Sequence, residues 1–117
     1  MIEDNVRIMR ISAVLSDEEV NLAKAYILGA VHSRCTAGGD PRISVRRLFG
    51  GDNANWKGTP LQAIYNYYVS VKGYAHEKAA DSAAQDVGKL LKTVLYEDKT
   101  RTFRLDQSDS GNNYVLL

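Results

Sequence analysis

From Ser82 to Tyr96 the apolar residues recur at a spacing that a helix brings to one side. Ala83, Ala84, Val87, Leu90, Leu91, Val94 and Leu95 share one face, and Gln85, Lys89, Lys92, Thr93 and Tyr96 share the other. Ser82-Ala83-Ala84-Gln85 has the pattern of a capping box and predicts the start of this helix. Two strand-like runs follow, Thr100 to Leu105 and Tyr114 to Leu117. The polar, turn-rich stretch Asp106 to Asn113 separates them, as in a β-hairpin.

Two further helices are predicted upstream. Ser16-Asp17-Glu18-Glu19 is a capping box in which the Ser16 hydroxyl takes the third helical N–H and Glu19 reaches back to the cap. Val20, Ala23, Tyr26, Ile27, Ala30 and Val31 then fall on one helical face, and Gly38-Gly39-Asp40-Pro41 predicts the stop. Arg42 to Phe49 begins as a strand, with Ile43 and Val45 alternating against polar neighbours, and Gly50 to Gly58 reads as a loop. Thr59-Pro60 starts the next helix, with Pro at the first helical position, where its missing N–H costs nothing. Leu61, Ile64, Tyr65, Tyr68 and Val71 form its buried stripe, and Gly73 closes it. Met1 to Val14 alternates weakly and is expected to be a short strand or an ordered arm.

The chain of 117 residues has the size of one domain, and 44% apolar with 25% charged residues suits a packed core. Fifteen Lys and Arg against 14 Asp and Glu give a net charge of +1. Neither half carries the excess: residues 1–56 hold seven basic and seven acidic side chains, residues 57–117 eight and seven. Any nucleic-acid surface must therefore arise from local clustering. Cys35 is the single cysteine, which excludes an internal disulfide and fits a reducing compartment. Glu3 and Asp4 near the start, and the lack of a long apolar run, lead to the expectation of an intracellular protein with no membrane partner.

The predicted order is helix, strand, helix, helix, strand, strand. This is the layout of an α+β winged helix-turn-helix: three helices, a short strand Ile43–Val45, and a C-terminal hairpin wing beside which that strand pairs, in one domain over residues 1–117. Ala63-Ile64-Tyr65-Asn66-Tyr67-Tyr68, followed by Gly88-Lys89-Leu90-Leu91-Lys92-Thr93-Val94, resembles the regulatory factor X (RFX) type of winged-helix DNA-binding domain. Lys99-Thr100-Arg101 stands where that family has a basic run leading into the wing, and the resemblance covers about residues 59–117. The same Gly-Lys-Leu-Leu-Lys pattern is similar to the winged-helix tails of some phage and plasmid primases. The resemblance implies double-stranded DNA as partner and a role of the transcription-regulator kind. The chain departs from the RFX pattern in the wing, where Asp106 and Asp109 replace Arg and Gly and would repel phosphates.

Lys89, Lys92, Lys99, Arg101 and Arg104 face only Glu97 and Asp98 in the same stretch, a local excess of three positive charges. Lys89 and Lys92 share a helix face with Gln85 and Tyr96. The five cations are candidate phosphate contacts and Gln85 a candidate base reader, because amide side chains pair with base edges. A solvated helix face has the same composition. Arg42, Arg46 and Arg47 form a second cluster, for which pairing with Asp40 or Glu18 is at least as good a reading. Tyr67, Tyr74 and Tyr96 are candidate contacts, whereas Tyr26, Tyr65 and Tyr68 are expected in the core and Trp56 is expected to cap it.

Catalytic and metal patterns are weak. His32 and Cys35 share a helix face without further ligands, His76-Glu77 lacks the second His of a metalloprotease helix, and Gly50-Gly51-Asp52 is not followed by the Lys of a phosphate loop. The chain is therefore expected to have neither enzymatic activity nor a cofactor. Its expected role is DNA binding through the third helix and the base of the wing. The rival expectation is a winged helix used for protein–protein contact within a larger replication or chromatin complex, which the neutral charge and acidic wing tip favour.

Overall fold

A computed structural model describes residues 1–36, 42–50, 56–108 and 111–117. Among them are four helices, α1 (Asp17–Thr36), α2 (Val45–Phe49), α3 (Gln62–Ser70) and α4 (His76–Glu97), and three strands, β1 (Arg42–Ile43), β2 (Phe103–Ser108) and β3 (Gly111–Leu116). The strands form one antiparallel sheet in the order β1-β3-β2. The architecture is α+β, with an arrangement compatible with a winged helix.

The Ser16 box forms as expected: the Ser16 hydroxyl accepts from the Glu19 N–H at 3.1 Å, and Glu19 accepts from the Ser16 N–H at 3.0 Å. Ala23, Ile27 and Val31 bury one stripe of α1. Tyr26 does not join it. It stands exposed, stacked on Phe49 with ring centroids 5.5 Å apart. The expected stop at Gly38–Pro41 and most of the 50–58 loop lie outside the described residues.

Between residues 42 and 50 the structure corrects the sequence reading. Only Arg42 and Ile43 are strand, pairing with Val115 and Tyr114. Val45 belongs to a helix, because the Ser44 hydroxyl accepts from the Arg47 N–H at 3.1 Å and so caps a turn that opens one residue after the strand. Gly50 ends that turn at a φ of 88°.

Helix α3 begins at Gln62, later than Thr59-Pro60 suggested, although the Thr59 hydroxyl does accept from the Leu61 N–H. Leu61, Ile64 and Tyr68 are buried, whereas Val71 is 69% exposed beyond the helix end. Gly73, at a φ of 67°, turns the chain so that the Tyr74 N–H donates back to the Tyr68 carbonyl.

The largest difference concerns α4. It starts at His76, not Ser82, and runs for 22 residues, about 33 Å. The apparent capping box at 82–85 lies inside it. The helix-forming run Glu77 to Asp81 and the fully buried Ala79 extend the apolar stripe by one more turn, so Ser82 has no helix end to cap. The hairpin is also longer than expected: Asp106 pairs with Asn113 and Gln107 with Asn112, in continuous register from the apolar pairs Phe103–Leu116 and Leu105–Tyr114. Ladder hydrogen bonding overrides the turn-like composition of this stretch.

The N-terminal residues form an arm. Ile2 bridges Phe103 in parallel, extending the sheet beyond β2, and the Asp4 carboxylate accepts from the Leu105 N–H at 2.7 Å. The chain then passes along α4 in the opposite direction. There it meets Asp86, which is only 1% exposed. One carboxylate oxygen accepts from the Ser12 N–H at 2.9 Å; the other accepts from the Ala13 N–H at 3.0 Å and the Tyr68 hydroxyl at 2.6 Å. Three donors, from the arm and from α3, thus close on one acid of α4.

Asp86→Ala would leave those three donors unsatisfied, and it is expected to lower stability by about 3 kcal/mol. A urea titration would read this as a lower midpoint, with the Ser12 and Ala13 amides losing hydrogen-exchange protection before the core. An unchanged midpoint and unchanged protection would contradict the clasp.

Candidate nucleic-acid interface

The outer face of α4 presents Gln85, Lys89, Lys92 and Tyr96, as its periodicity predicted, but the arm occupies part of it. Lys89 Nζ lies 3.6 Å from Asp86 and donates to the Ser12 hydroxyl at 3.3 Å. Lys92 Nζ donates to the Arg7 carbonyl at 3.3 Å. Both lysines are half-buried, so their ammonium groups are partly engaged within the fold. Gln85 is exposed and donates to Asp81, one turn earlier, at 3.2 Å. Tyr96 is 52% exposed and open to a partner.

Beyond the helix, Lys99 and Arg104 are exposed and Arg101 is half-buried. Arg104 faces outward from the sheet, between the inward Phe103 and Leu105, opposite Val115 on β3. Asp106 follows on the same outer face, and Asp109 lies outside the described residues.

The two acids of this stretch are committed elsewhere. Glu97 pairs with Lys24 of α1 at 2.7 Å. Asp98, at the end of α4, is buried; its carboxylate accepts from the Thr100 N–H at 2.9 Å and the Thr100 hydroxyl at 2.6 Å, and lies 2.9 Å from His32 Nε2. Lys92, Lys99, Arg101 and Arg104 have no carboxylate partner among the described residues. Arg42, Arg46 and Arg47 all have partners.

The tyrosines divide differently from expectation. Tyr67 and Tyr74 are half-buried against the ring of Tyr68, edge-on at 5.2 Å and stacked at 5.8 Å, so Tyr96 is the most accessible of the three candidates. Lys78 sits over the Tyr74 ring at 4.1 Å. Trp56 is buried in the core, as a cap would be.

Arg7, Arg10 and Asp86 escaped the sequence reading. An acid falling on the apolar stripe between Ala83 and Leu90 is a legible signal of a buried carboxylate, and residues 5–16 hold two arginines and no acid.

No group of three or more potential metal ligands comes together among the described residues. No described helix is long and apolar enough to cross a membrane. Burial pushes the Cys35 thiol above its ordinary pKa, against the opposing pull of Arg101 and Arg34. The chain matches no family model, no curated protein and no solved structure.

Burial alone would raise the pKa of Asp98, but hydrogen bonds from Thr100 and His32 outweigh it and hold the carboxyl at about 2, below its ordinary 3.8. Its contribution to stability is therefore present above pH 4 and lost as the pH falls through about 2. Asp98→Asn is expected to cost about 2 kcal/mol at neutral pH and to flatten the acid limb of a stability–pH profile between pH 4 and 2. An acid limb identical to wild type would contradict this assignment.

Proposed function

We propose that this protein binds duplex DNA as a small winged-helix module, with α4 and the base of the β2–β3 hairpin as its contact surface. The observation that carries the reading is the pairing pattern between Lys89 and Arg104. Its acids are occupied by Lys24, His32 and Thr100, while Lys92, Lys99, Arg101 and Arg104 lack carboxylate partners among the described residues. The local positive charge is thus left to act outward on a polyanion, although the whole chain is nearly neutral. The hairpin β2–β3 that follows the pair α3–α4, with β1 on its β3 edge, and the resemblance to the RFX type, support the same reading. Phosphate contact falls to Lys92, Lys99, Arg101 and Arg104, with Lys89 partly held by Asp86; Gln85 and Tyr96 face the bases or sugars.

A second reading, protein–protein contact, draws on the outer face of α1, where Leu22 and Tyr26 are exposed one turn apart.

A labelled duplex titrated at several salt concentrations separates the two. DNA binding predicts that log affinity falls with log salt, the contacts of α4 and the hairpin base alone contributing a slope of about −3 to −4 for three or four phosphates neutralised. Lys99→Ala with Arg104→Ala should weaken binding on any sequence and reduce that slope by about 2. No binding even at low salt would overturn the DNA reading.

A further inference from the structure

We infer that the N-terminal arm is itself a phosphate-contacting element, with Arg7 and Arg10 as its contact residues. The inference rests on the DNA reading above and extends it to a segment outside the helix and wing.

Arg7 and Arg10 are exposed and have no carboxylate partner among the described residues. The arm between Asn5 and Ser16 contains no acid, so nothing along it offsets them. The backbone of this segment lies directly on the candidate face of α4. Lys92 reaches the Arg7 carbonyl, Lys89 reaches the Ser12 hydroxyl, and the Ser12 and Ala13 amides are held by Asp86. Arg7, Arg10, Lys89 and Lys92 against Asp86 and Asp81, the latter one turn before Gln85 on the same helix face, leave a net charge of +2 on the joined surface (four cations minus two acids). The arm and α4 therefore present one cationic strip. Its two helix lysines each also bond the arm, and its two arginines are fully on the solvent side.

Three properties suit those arginines to phosphate. Their planar guanidinium groups can bind phosphate through two parallel hydrogen bonds. Three residues of non-helical chain separate their Cα atoms by at most about 10 Å, so both can reach one strand's backbone. Asp86 holds the arm in place before any ligand arrives, which lowers the ordering cost of binding. Ile8 and Met9, 40% and 45% exposed between the two arginines, add apolar contact for the faces of sugars.

The test compares the full chain with its Arg7→Ala/Arg10→Ala variant, both titrated with a labelled duplex of about 20 base pairs at about 50 and 200 mM salt. The clasp on the arm is made by backbone groups and by Ser12, so removing the two exposed side chains leaves it intact, as an unchanged urea midpoint would verify. The expected result is an affinity about tenfold weaker at the lower salt, with a salt slope shallower by about 2. Arg7→Lys/Arg10→Lys should restore the slope, which a purely structural role of the arm would not require. Binding by the wild type that the double alanine variant matches in affinity and slope would overturn the inference and leave the proposed function standing. No binding by the wild type would overturn both.

Discussion

The organisation of this protein turns on a single buried carboxylate. Burying an ionised acid costs several kcal/mol unless its lone pairs are filled and a positive charge lies near. Asp86 meets both conditions, with two amides of the arm, one phenol of α3 and Lys89 at 3.6 Å. The donors come from the arm and from α3, and the acid from α4, so the bond set fixes three elements relative to one another. Tyr68 carries the imprint: burial and the adjacent carboxylate push its hydroxyl far above its ordinary pKa. The phenol therefore stays a donor across the physiological range, and Asp86 keeps its third partner.

A second acid performs the equivalent task twelve residues on, about 18 Å along the same helix. Asp98 gathers His32 of α1 and the Thr100 turn, and the amino group of Met1 donates to its carbonyl and to that of Arg101. Helix α4 is thus tied near both ends of the arm's path. Between the two ties the arm runs along the helix, which is why Lys89 and Lys92 contact the fold itself and the arm's arginines reach solvent.

The parts legible in the sequence are those governed by local chemistry. The Ser16 box, the Gly73 turn and the stripe from Val87 to Leu95 follow from spacing and residue type alone, and the structure shows each of them. What escaped depends on distant partners. Ser82-Ala83-Ala84-Gln85 has the chemistry of a helix start, but the five residues before it are equally good helix formers with Ala79 in the core, and burial extends the helix past the local signal. Val45 fits a strand by alternation, yet a single hydroxyl on Ser44 diverts the chain into α2. Asp106 and Gln107 look like turn residues and become strand because Phe103 and Leu105 set the register for them. Lys99 and Arg104 were visible as charges; that Glu97 and Asp98 would not offset them was not, since Lys24 and His32 lie more than sixty residues earlier.

The arm and α4 thus form one surface joined by Asp86, which we propose is directed at nucleic acid. Amide chemical-shift mapping of the full chain with a short duplex at low salt tests that most directly. The account predicts shifts that cluster on residues 7–13 together with 85–92 and 99–104, while the outer face of α1 around Leu22 and Tyr26 stays unperturbed. Shifts confined to α1, or shifts in α4 and β2 that leave the arm untouched, would contradict it.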